Sequence, residues 1–77
     1  MTFIINLNDF GNVKSFHETV CKFDSDIDAY SGRYIVDAKS ILGLYTLDLS
    51  KNIDIKIHTE DEGTVRKFKN AIIEYIV

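Results

Sequence analysis

Runs of branched residues alternate along the chain with stretches of helical period. Residues 2–7 (Thr-Phe-Ile-Ile-Asn-Leu) predict a first strand, and Asn8-Asp9-Phe10-Gly11-Asn12 a loop or helix start. Val13, Phe16, Val20 and Cys21 then fall on one face of an amphipathic helix. Residues 26–30 alternate as Asp-Ile-Asp-Ala-Tyr, the period-two signature of a half-buried strand. Ser31-Gly32 predicts a tight hairpin turn, with residues 33–38 returning as the partner strand. Ser40 stands where a helix N-cap belongs, ahead of the short apolar run Ile41-Leu42-Gly43-Leu44-Tyr45. Ile53, Ile55 and Ile57 alternate with Asp54, Lys56 and His58, the clearest strand in the sequence. Thr59 and Glu62 have capping-box spacing before a last helix striped by Val65, Phe68, Ile72 and Tyr75 or Ile76. The order is β-α-β-β-α-β-α, and the predicted class is α+β: one antiparallel sheet with helices on one face.

Composition narrows the function classes. The 77 residues allow one domain, residues 1–77, and 45% hydrophobic with 27% charged residues is ordinary for a folded chain. A net charge of −3 argues against a domain that grips nucleic acid through phosphates. No apolar stretch approaches the roughly 18 residues of a membrane span. The first residues lack a charged leader and a long apolar core, so no signal peptide is expected and the expected location is the cytoplasm. Cys21, the only cysteine, makes neither an internal disulfide nor a cysteine metal cluster.

Candidate chemistry is sparse. His17 continues the apolar face of the first helix, which predicts a packed or boundary histidine; the sharper alternative is a nucleophile, or a metal ligand with Cys21. Two ligands are too few for a closed zinc site, so no metal is expected. His58 is expected on the polar face of its strand, and Cys21 as a small buried hydrophobe. Asp24, Asp26 and Asp28 are placed with Tyr30 on one solvated strand face. Glu60-Asp61-Glu62 lacks the alternating oxygen ligands of a calcium loop and fits a first helical turn instead. No phosphate-cradling glycine loop or other cofactor motif is present, and none is expected.

The stretch Val36-Asp37-Ala38-Lys39-Ser40-Ile41-Leu42-Gly43-Leu44-Tyr45-Thr46-Leu47 resembles the regulatory-serine segment of HPr. HPr is the small phosphocarrier of the bacterial phosphoenolpyruvate-dependent sugar phosphotransferase system. In that family a Lys-Ser pair opens a short second helix, followed by a large apolar pair, a small residue and a Thr- or Ser-Leu ending. Lys39-Ser40, Ile41-Leu42, Gly43 and Thr46-Leu47 supply these in register. The resemblance covers roughly residues 13–77. It implies an open-faced β-α-β-β-α-β-α sandwich with a four-stranded antiparallel sheet and three helices on one face.

The departure lies where the family does its chemistry. HPr carries phosphate on a histidine in a Gly-x-His-x-Arg-Pro-type loop at the start of helix one. Here that region reads Leu7-Asn8-Asp9-Phe10-Gly11-Asn12, with no histidine, arginine or proline. The resemblance therefore implies a divergent member without the active-site histidine: a regulatory binding module, not an enzyme. Ser40 is the candidate phosphorylation site, with a plain N-cap as its structural alternative. Lys39, Ile41, Leu42 and Tyr45 are the candidate docking residues, with Ile41 and Leu42 expected as an exposed pair unless they belong to the core. The implied partners are Enzyme I, an HPr-type serine kinase and a catabolite-control repressor. Two alternatives remain: an active carrier using His17, and an HPr-fold module recruited to an unrelated protein contact.

Overall fold

The computed structural model describes residues 1–77. Four strands, β1 (Thr2–Ile5), β2 (Ile27–Ser31), β3 (Tyr34–Asp37) and β4 (Ile53–Ile57), form one antiparallel sheet in the order β1-β4-β2-β3. Helices α1 (Phe10–Val20), α2 (Ile41–Tyr45) and α3 (Glu62–Ala71) provide the helical layer, and α3 tightens into a 3-10 turn over Ile73–Tyr75. The expected order and four-stranded antiparallel sheet are what the chain adopts.

The alternation of β4 explains the layering. Ile53, Ile55 and Ile57 are buried while Asp54, Lys56 and His58 are exposed, so one face of the sheet takes the core. Ile5, Ile27 and Ala29 extend that face, and Val13, Phe16, Val20, Leu44, Phe68 and Ile72 close over it from the helices. No polar or charged residue is among the 16 buried ones. Gly32 has φ +59 in the two-residue turn between β2 and β3, the left-handed conformation that primed hairpin turns demand.

Four local expectations are corrected. The first strand ends at Ile5, although Leu7 stays buried, because Asn8 at φ +67 turns the chain towards α1. Thr59 is not the cap of α3. Asp61 is, its carboxylate accepting from the Thr64 amide at 3.3 Å and the Thr64 hydroxyl at 2.6 Å, while the Thr59 hydroxyl accepts from the Asp61 amide at 3.2 Å. Cys21 is exposed, because the buried stripe of α1 ends at Val20 and Cys21 follows it as the C-cap. Asp24 and Asp26 precede β2, so only Asp28 shares a strand face with Tyr30.

Candidate functional site

The segment from β3 into α2 is held by its own short-range hydrogen bonds. Asp37 accepts twice: its carboxylate from the Lys39 amide and its carbonyl from the Ser40 amide, both at 2.9 Å. Ser40 is extended (φ −96, ψ 107), and its Oγ accepts from the Gly43 amide at 3.2 Å, closing the first turn of α2. Gly43 marks a close approach. A Cβ there would lie 3.2 Å from the Val36 Cβ and 3.3 Å from Ser40 Oγ, so a side chain would make Val36 or the Ser40 cap give by a few tenths of an ångström.

The five residues of α2 divide sharply. Leu44 is fully buried and Leu42 is 76% exposed. Ile41 is half-buried and packs against the core, so the expected exposed pair is in fact one exposed residue and one boundary residue. A short helix with one face on the sheet can bury position 44 and half of 41, leaving 42 outward. Tyr45 is partly exposed, and its ring meets Phe10 edge-on with centroids 5.5 Å apart. Phe10, 65% exposed, was not among the sequence candidates because it lay in a segment without clear periodicity. The signal was the Asn8-Asp9 pair, a helix-start composition immediately before it. Phe10, Tyr45, Leu47 and Leu49 form the apolar part of a shallow hollow whose remaining lining is polar. Asp48 rims it; hydrogen bonds from the Ser50 hydroxyl and amide hold its carboxyl below the usual 3.8.

The start of α1 faces this same region. Asp9 is its N-cap, with Oδ1 accepting from the Asn12 amide at 2.9 Å, and the Asn12 side-chain amide donates to the Leu7 carbonyl at 2.6 Å. The amide end of the helix is thus engaged by an internal carboxylate. His17 lies well inside α1, half-buried, with Nε2 2.8 Å from the Lys39 carbonyl oxygen and 3.4 Å from Cys21 Sγ. This is the packed boundary histidine expected, and it ties α1 to the residue before Ser40. His58 is elsewhere, on the open face of the sheet, where Nε2 sits 2.8 Å from the Asp28 carboxylate. Lys39 and Ser40 thus stand immediately before α2, Leu42 and Tyr45 lie three residues apart on it, Ile41 is half-buried against the core, and His58 lies away on the sheet.

Comparison with known proteins follows the same outline. A family model described as the PTS HPr component phosphorylation site matches residues 12–75. That match begins at Asn12, inside α1 and past the Asp9 cap. Among solved structures, the crystal structure of HPr-C-His from Thermoanaerobacter tengcongensis is similar at 25% sequence identity. The match covers 96% of this chain and 91% of that one, with a TM-score of 0.76. No curated protein matches the chain.

Proposed function

The chain belongs to the HPr family of the phosphotransferase system, and from that premise we propose that it is a regulatory docking module. HPr proteins are phosphocarriers rather than enzymes in the usual sense, and the family implies interaction with proteins of the phosphotransferase system. The proposal is narrower: this chain does not relay phosphate through histidine, and it is modified at Ser40 in the cytoplasm. Leu42 and Tyr45 present the docking surface, with Lys39 and Ile41 at its border. The partners are an HPr-type serine kinase and a catabolite-control repressor, with Enzyme I engaging the same surface without phosphorylating it.

The observation that carries this reading is the Asp9 cap. A phosphohistidine at the start of helix one needs free amides and a nearby cation to hold its charge. Here the Asp9 carboxylate occupies the Asn12 amide, and a carboxylate repels phosphate. His17 does not replace the missing group, because Nε2 is committed to the Lys39 carbonyl and Glu18 follows it. At Ser40 the chemistry is more favourable. Transfer from ATP forms the Oγ–P bond, releases ADP, and passes the hydroxyl proton to a base of the kinase. The added charge of roughly −1.5 to −2 would stand beside the α2 amides and Lys39, and next to exposed Leu42.

The test has two arms. Incubation with Enzyme I and labelled phosphoenolpyruvate should leave the chain unlabelled, while a genuine HPr in the same tube is labelled. Acid-labile phosphate on His17 or His58 at stoichiometric level would overturn the reading in favour of an active carrier. Incubation with an HPr-type serine kinase and ATP should place phosphate on Ser40 and give none in Ser40→Ala. If the wild type stays unmodified while HPr is phosphorylated, Ser40 serves only as a cap.

A further inference from the structure

We propose that the outer edge of β3 pairs with the same strand of a second copy of this chain, forming a two-fold antiparallel dimer. The sheet has two edges, and they are treated differently. At β1 the C-terminal residues cover the edge: Val77 donates to the Ile4 carbonyl at 3.0 Å, Asn6 to the Tyr75 carbonyl at 2.9 Å, and Ile76 bridges Ile5. β3 pairs only with β2.

The free edge of β3 is short and carries one charge, Asp37, but it lacks the stronger guards. Edge strands are commonly blunted by lysine, proline or a bulge. Tyr34-Ile35-Val36-Asp37 has no lysine or proline, and its register with β2 runs unbroken from Ser31↔Tyr34 to Asp28↔Asp37. Instead Tyr34 is 71% and Ile35 is 63% exposed. In a hairpin with a two-residue turn the closing pair Ser31–Tyr34 exchanges hydrogen bonds, and bonded pairs alternate from there. The N–H and C=O of Ile35 therefore point away from β2. The bonds beyond the strand agree with that alternation: Ala38 donates to the Ile27 carbonyl, whereas the Asp37 carbonyl turns outward to accept from Ser40.

Charge selects a second copy as the occupant. An antiparallel pairing centred on Ile35 sets Ile35 against Ile35 of the other copy, which exchange two backbone hydrogen bonds. It sets Tyr34 against Val36, and Arg33 of each copy abreast of Asp37 of the other, so both ends of the ribbon join opposite charges. The strand is complementary to itself about a two-fold axis, as an isologous interface requires. With only one short strand from each copy, the contact is smaller than the roughly 800 Å² per partner of stable complexes, so the dimer is weak and concentration-dependent.

Sedimentation of the full chain from about 10 μM to about 1 mM, which spans weak association on the affinity scale, should show the mass rising from 8.8 kDa towards that of a pair. Ile35→Lys should remain monomeric throughout while melting like the wild type. Arg33→Asp should weaken the dimer, and Arg33→Asp combined with Asp37→Arg should restore it. Geometry is read separately by oxidation. In such a pairing opposed Cα atoms lie about 5.5 Å apart, within disulfide reach. Cys21→Ser with Ile35→Cys should therefore cross-link to a covalent dimer, and Cys21→Ser with Tyr34→Cys should not. A wild type that stays monomeric at every concentration overturns the proposal, including the case where the edge accepts a strand of another protein. So does a dimer that survives Ile35→Lys, or equal cross-linking at positions 34 and 35.

Discussion

Leu42 and Leu44 are the same residue type two positions apart, yet one is 76% exposed and the other fully buried. Leu42→Asp should change stability by no more than about 0.5 kcal/mol, as surface substitutions do. Leu44→Ala should cost about 2–5 kcal/mol, because it leaves a cavity between α2 and the sheet. Thermal melts of the two variants check this, and a large loss in Leu42→Asp would remove the basis for a docking surface. Ser40→Ala should cost about 1 kcal/mol through loss of the bond from the Gly43 amide. Ser40 as a cap was legible in the sequence, because a hydroxyl before a short apolar run has one local use. The split between positions 41 and 42 was not legible, since a five-residue helix carries too few turns to define a face.

At the scale of the element, α3 shows how a cap can be misplaced by two residues. The Thr59–Glu62 spacing was a valid signal, but Asp61 was nearer the first helical turn and offered a stronger acceptor. Its hydrogen bonds from the Thr64 hydroxyl and then the Thr64 amide hold the Asp61 carboxyl below its usual 3.8. A carboxyl with a lowered folded pKa favours the native state when ionised. That contribution is complete above about pH 4 and lost as pH falls through the folded value. Asp61→Ala should therefore melt below the wild type at pH 7, and the gap should narrow below pH 4. Melting curves at both pH values decide it; a gap of constant size would show that the charge is not what matters. The strands were read more accurately than the caps. Their alternation reflects burial of a whole face, whereas a cap depends on which of several nearby oxygens reaches an amide.

For the whole molecule, the aromatic contacts at Phe68 join parts of the chain remote in sequence. Its ring lies 5.9 Å from Phe3 on β1 and 5.2 Å from Phe23 beyond α1, and the side chain is fully buried. A domain of this length has about 4–12 kcal/mol of stability in total at the usual 0.05–0.15 kcal/mol per residue. Phe68→Ala, at about 3–5 kcal/mol, should remove a large share of it and lower the denaturant midpoint sharply. Phe68→Leu should cost markedly less. Urea unfolding of both variants reads the difference, and near-equal midpoints would mean that the cluster is not central to the core.

The sequence by itself determined the order of elements, the buried face of β4, the serine that opens α2 and the absence of histidine and arginine before α1. Each is a local property, carried by periodicity or by the identity of a few adjacent residues. Only the tertiary structure decided that Asp9 engages an amide of the first helix, that Phe10 meets Tyr45, and that His17 is committed to Lys39. It also decided that β3, rather than β1, is the open edge of the sheet. These depend on which distant segments share a neighbourhood, and that is fixed when helices and sheet bury their apolar faces together.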